Sequence, residues 1–172
     1  MSLASLNPQM RVPAMMVDGQ TLIPSMAILE WIEETWPEPA MLPEDPIQRA
    51  RCRAMAQLIV SDIHPIQNSF VLAYLRDEVN AVGATVKAWV GEWMARGLSA
   101  LETLALESVT NDYLIGSRPT FADVCLVPQL YNARRFDVDL SAYQRLLTVE
   151  KSCLKHPAFA HAVPEVQPDA PD

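Results

Sequence analysis

The sequence predicts a mainly α-helical protein in which a small hairpin-plus-helix unit precedes a larger all-helical body. Three observations predict it. Near the start, two short apolar runs, VPAMMV and TLIP, flank the turn pair Asp18-Gly19. Beyond Asp45 the apolar residues recur at spacings of three and four, the period of a helix with one buried face. Between these regions lies PEPAMLPEDP, whose four prolines in ten residues suit an extended connector. With 172 residues, 50% apolar and 20% charged, the chain is long and apolar enough to bury a real core.

The elements follow in order. Residues 12–17 and 21–23 read as antiparallel strands, joined by a two-residue turn or, with Gln20, a longer one. Ser25 opens an amphipathic helix carrying Ile28, Leu29, Ile32 and Trp36 on one side, and Pro37 ends it. The organisation expected is a first domain over 1–38, a linker over 39–44, a helical domain over 45–163 and a loose tail over 164–172. Asp45, Pro46 and Gln48 supply an N-cap, a proline at the first helical position and a capping-box partner. The helix they start runs to about residue 78. Pro65 interrupts it, because proline removes a backbone donor and crowds the carbonyl four residues back, at about 3 kcal/mol, so a kink is expected over 61–65.

A second long helix is expected over 84–107, with Val86, Trp89, Val90, Trp93, Leu98, Leu101 and Leu104 on its apolar side. A third begins at Thr120, where Thr120-x-x-Asp123 forms a capping box. The VCLVPQLY that follows is apolar almost all round and belongs in the centre of a bundle. Further helices fit 141–154 and 157–163.

Charge and cysteine content exclude several functions. A net charge of −8, with no dense run of Lys or Arg, argues against a nucleic-acid partner. Cys52, Cys125 and Cys153 are odd in number and contain no C-x-x-C pair, so neither a disulfide framework nor a zinc site is suggested. Cys125, inside DVCLVP, reads as core. The start lacks the charged and apolar regions of a signal peptide, and nothing approaches about 18 consecutive apolar residues, so no membrane partner and a cytoplasmic location are expected.

The strings LNPQMRVPAM, PSMAILEWIEETWPEP, MLPEDP, SDIHPIQN, GLSALE and TFADVCLVPQLYNARRFDVDL, with QPD near the end, resemble the zeta class of glutathione transferases in its maleylacetoacetate isomerase branch. The resemblance runs from about residue 5 onward. It implies a partial thioredoxin-like α/β N-terminal unit, made of the β-hairpin plus one helix, followed by the all-helical glutathione transferase C-terminal domain. It also implies glutathione as cofactor, a small-molecule substrate, a homodimer, and cis-trans isomerisation of maleylacetoacetate to fumarylacetoacetate in tyrosine and phenylalanine breakdown. The alternatives are maleylpyruvate or a small α-halo acid as substrate, or a non-catalytic dimerisation or binding scaffold. The chemistry implied is addition of a thiolate to a cis double bond conjugated with a carbonyl, rotation about the resulting single bond, and departure of the thiolate from the trans alkene.

By the same resemblance, Val12-Pro13 is a cis bond that turns the Val12 main chain toward glutathione, where a plain strand-entry proline is the alternative. Ser25 receives the γ-glutamyl carboxylate on its amide and hydroxyl at a helix start, serves as a plain N-cap, or does both. Pro24 departs from the Gln or Glu that relatives carry there, and with neither polar side chain nor N–H it should weaken binding. His64, Asn68 and Ser69 match positions that line the glutathione pocket; His64 alone is equally a structural histidine. Arginines that maleylpyruvate isomerases carry near Ser69 and Phe70 are absent, which favours maleylacetoacetate. Arg135, then Arg134, are candidates for the substrate carboxylates, against surface ion pairs with Asp137 or Asp139. Relatives place the serine-rich motif that ionises the thiol ahead of the segment matching Leu6. No residue before Leu6 here matches it, so little isomerase activity is expected from this chain.

Overall fold

The computed structural model describes residues 2–108, 112–168 and 170. The chain divides into two units, Met1–Leu42 and Pro43–Asp172.

The first unit opens with a short helix α1 (Leu3–Leu6), which the apolar pattern did not predict. Strands β1 (Met15–Val17) and β2 (Gln20–Leu22) pair antiparallel, with Val17 opposite Gln20. Asp18 and Gly19 are thus a two-residue turn, both with positive φ (47° and 78°), the conformation Asp-Gly pairs adopt in hairpins. β1 starts three residues later than its sequence pattern, since Pro13 has no N–H to give a ladder. Helix α2 (Ser25–Thr35) follows directly, and the Glu33 carboxylate on it accepts from the Met41 and Leu42 amides (2.8 and 3.1 Å), folding the proline-rich stretch back onto the helix.

In the second unit, α3 (Pro46–Gln57) begins with the expected N-cap and proline: the Asp45 carboxylate accepts from the Gln48 amide at 2.8 Å, and Pro46 occupies the first turn. The proline interruption spreads over ten residues. A π-helical stretch (Leu58–Ile63) and a 3₁₀ turn (His64–Gln67) precede α4 (Ser69–Asp77). The His64 amide reaches back five residues to the Ile59 carbonyl, so the chain widens a full turn before Pro65 instead of bending at it.

Helix α5 (Gly83–Leu106) buries Val90, Met94, Leu98 and Leu101 completely. Helix α6 (Phe121–Arg135) occupies the centre, packed against α3 and α7 (Gln144–Cys153), and more than half its residues are buried. At its start the capping box is formed, with Asp123 accepting from the Thr120 amide and hydroxyl (2.8 and 2.7 Å) and from the Leu114 amide (2.8 Å). Helix α7 begins three residues later than its sequence pattern. Asp139 ties the Ser141 amide into a turn (2.8 Å), and the Glu102 carboxylate of α5 accepts from the Arg145 and Leu146 amides (2.8 and 3.0 Å), capping α7 from another helix.

Helix α8 (Pro157–Ala160) is shorter than expected, and a 3₁₀ turn (Pro164–Val166) follows it. The first residues of the supposed loose tail are tied down there: the Gln167 amide nitrogen donates to the His161 and Val163 carbonyls (2.8 and 3.0 Å), and Tyr131 donates to Glu165 (2.9 Å).

Candidate functional site

In the first unit, a buried Asn7 organises the loop ahead of Val12. Its side chain donates to the Arg11 carbonyl (2.7 Å) and accepts from the Gln9 amide (2.9 Å), while Met10 takes a left-handed φ of 55°. Asn7 was not singled out in the sequence, although its Asn-Pro dipeptide is a turn signal. The Val12-Pro13 bond that follows is cis, and Val12 is 80% exposed. It lies three residues ahead of β1, so its main chain is outside the hairpin ladder.

Ser25 is the first residue of α2. Pro24 is the N-cap, so the reading of Ser25 as a side-chain cap is corrected. Because proline has no capping side chain, α2 starts with no side-chain cap and no acidic residue in its first turn. The amides of Ser25, Met26 and Ala27 lie in the turn where a helix has no internal acceptors, which suits a carboxylate. This uncapped helix start, and the Val12 main chain left outside the strand pairing, are the features that fit a bound peptide-like anion.

In the second unit, the corner made by the π stretch and the 3₁₀ turn gathers the other candidates. His64 opens the 3₁₀ turn and is exposed. Asn68 caps α4, its side-chain oxygen accepting from the Phe70 amide (3.1 Å) and the Ser69 hydroxyl (3.4 Å). That use of its oxygen leaves the Asn68 amide nitrogen as the group for an incoming acceptor. The Trp89 indole nitrogen on α5 donates to the Ile66 carbonyl (3.0 Å); the sequence reading gave this residue only packing.

The paired arginines part company. Arg134 makes a bidentate pair with Glu150 (2.6 and 2.5 Å), whose side chain is 7% exposed, so its fork is engaged within the fold. Asp137 and Asp139 are not its partners: the first pairs with Lys87 (2.9 Å), the second holds Ser141. Arg135 is exposed on the last turn of α6.

The three thiols of the chain are poorly placed to act as nucleophiles. Cys52, Cys125 and Cys153 are free and buried, and burial pushes all three thiols up, Cys125 and Cys153 to about 12. Among the described residues, no cluster of His, Cys, Asp and Glu suits a metal, and no helix is long and apolar enough to cross a membrane. A cavity of about 430 Å³ in the second unit, lined by Arg51, Met55, Leu104, Glu107, Ile115 and Arg118 among others, contains none of His64, Asn68 and Ser69.

This bundle, with its capped central helix and its corner at Pro65, has the form of one protein class: residues 67–157 match the family model described as Glutathione S-transferase, C-terminal domain. The chain is 47% identical to the maleylacetoacetate isomerase of Pseudomonas aeruginosa, over 97% of this chain and 77% of that protein. A holo structure of a maleylpyruvate isomerase, described as a bacterial zeta-class glutathione transferase, superposes with a TM-score of 0.94 at 44% identity, covering 98% of this chain and 80% of that one. The maleylacetoacetate isomerase of Anaeromyxobacter dehalogenans, solved with glutathione in its active site, gives a TM-score of 0.88 at 47% identity, covering 96% and 76%. The chain belongs to the zeta-class glutathione transferase family of maleylacetoacetate and maleylpyruvate isomerases.

Proposed function

We propose that this chain acts in glutathione-dependent cis-trans isomerisation of maleylacetoacetate to fumarylacetoacetate. The observation that carries the reading is its 47% identity, across nearly its whole length, to a maleylacetoacetate isomerase. Glutathione, when bound, supplies the thiolate that adds to the conjugated double bond and leaves after rotation.

The chain's own residues hold the tripeptide. In the first unit, the Val12 main chain beside Pro13 pairs with the peptide backbone, and the Ser25 amide and hydroxyl take its γ-glutamyl carboxylate. In the second unit, His64, Asn68 and Ser69 supply polar contacts at the Pro65 corner. Arg135 takes a substrate carboxylate, for which its exposed guanidinium is suited, whereas Arg134 is committed to Glu150. Thiol ionisation is assigned to no residue of this chain. A cytoplasmic homodimer completes the proposal. Three buried free thiols fit a reducing compartment, and exposed Phe70, Tyr74, Val79 and Val82 offer apolar surface for a second copy to cover.

The test is calorimetric titration with glutathione, alongside turnover of maleylacetone and of maleylpyruvate. Saturable binding is expected, about ten-fold weaker in Ser25→Ala through loss of one hydrogen bond to a charged group. Turnover should be slow, as expected without the serine-rich motif, and should depend on glutathione, favour maleylacetone, and climb as pH approaches the ~8.5 of a free thiol. Absence of any binding at millimolar glutathione refutes the proposal.

A further inference from the structure

The corner that carries His64, Asn68 and Ser69 departs from regular helix around Pro65, and contacts from outside it can fix the shape it takes. Two contacts from α5 meet it, one on each side of His64. Ahead of it, Ile63 ends the π stretch at 1% exposure and lies against Gly97: a Cβ added to Gly97 would stand 2.2 Å from Ile63 Cγ1 and 2.5 Å from Cδ1. Only glycine admits the side chain at that distance, and the β-branched Ile63 has little χ1 freedom in a helical turn by which to move Cγ1 clear. Behind it, the Trp89 indole donates to the Ile66 carbonyl at 3.0 Å, holding a main-chain group of the 3₁₀ turn itself. Trp89 and Gly97 are eight residues apart, about 12 Å along a helix that is regular through both positions.

We infer that Trp89 and Gly97 are positioning residues: α5 acts as a rigid ruler that fixes where the His64–Ser69 corner presents its polar groups to glutathione. The inference rests on the reading of that corner as a glutathione contact. The structural part stands on the two contacts alone. Widened helical turns recur at functional sites, and polar groups displaced by a fraction of an ångström lose much of their hold on a ligand.

The test uses the full chain as Trp89→Phe, Gly97→Ala and Gly97→Ala/Ile63→Ala, with Leu101→Ala as a control. Leu101 is fully buried on the same helix and belongs to neither contact. Amide chemical shifts over residues 63–69 are recorded without ligand, and the glutathione Kd is measured well below the melting point. Trp89→Phe and Gly97→Ala should move the corner amides and weaken glutathione by about ten-fold. The double variant, with room restored, should bring both back toward wild type; Leu101→Ala should lower the melting temperature and change neither. Corner amides that stay in place in both single variants overturn the clamp, whatever glutathione does. Amides that move with no change in Kd overturn its role in binding. Amides that move in the single variants, with a wild-type chain that binds no glutathione, leave the clamp standing and remove the function proposed for the corner.

Discussion

Replacing Asp123 by alanine should cost more stability than any other single truncation outside the apolar core. The carboxylate is fully buried and accepts three hydrogen bonds, from the Leu114 amide, the Thr120 amide and the Thr120 hydroxyl, all between 2.7 and 2.8 Å. Alanine leaves two main-chain donors at Leu114 and Thr120, themselves 0% and 3% exposed, with no acceptor. Each stranded donor costs about 1–3 kcal/mol, and relief of the carboxylate's own burial gives part of that back, so the net loss is about 3–4 kcal/mol. That is a large part of the ~5–15 kcal/mol by which domains are stable. Urea unfolding reads it as a lower midpoint at unchanged slope.

The pH dependence has a definite sign. Burial raises the Asp123 pKa above its ordinary 3.8, against the lowering pull of its hydrogen bonds. The folded state then binds the proton more tightly than the unfolded state does. The stability this linkage contributes is fully present below about 3.8 and is lost as pH rises through the raised folded value. The gap between wild type and Asp123→Ala should therefore be wider in acid than at neutral pH. A loss below ~1 kcal/mol at neutral pH, the low end for even one stranded donor, would refute the reasoning.

Arg134→Ala should lower unfolding free energy by about 2–3 kcal/mol, below the usual range for a broken buried pair because the guanidinium is 49% exposed, and should leave the substrate KM unchanged. Arg135→Ala should do the reverse, holding stability within ~0.5 kcal/mol and raising KM; thermal melts with steady-state kinetics separate the two, and the opposite pattern would reassign the substrate arginine. In a thiol-reagent titration at pH 8, the native chain should show almost no reactive cysteine and the unfolded chain three, since burial holds Cys125 and Cys153 near 12 and raises Cys52. One fast-reacting native thiol would contradict that burial.

The parts of the fold that the sequence disclosed are those decided within three or four residues. Asp18-Gly19 set its hairpin turn, Asp45 and Pro46 started α3, and Thr120 with Asp123 started α6. What escaped is decided at a distance. The start of α7 depends on Glu102, more than forty residues earlier, and the engagement of Arg134 depends on Glu150, on the next helix. Pro65 announced an interruption. Its spread back to Leu58, along a stretch packed against α5, follows no local pattern. For the candidate site, matching strings picked out Val12, Ser25 and the residues around Pro65, whereas the hydrogen bonds that hold those segments, from Asn7 and Trp89, come from side chains with no ligand role of their own.

Of the described residues in the first unit, only Asn7, Ile28 and Leu42 are buried, a very small interior for 42 residues. Segments with so few enclosed apolar side chains open locally at little free-energy cost, and their amides should exchange with solvent long before those of α5 or α6. A ligand that bonds to the Val12 main chain and the start of α2 would oppose such opening, by about 2.7 kcal/mol at a hundredfold excess over its Kd. The protection of this small unit would then track the thiol tripeptide available around it, so that the ligand serves as a folding partner as well as a reagent.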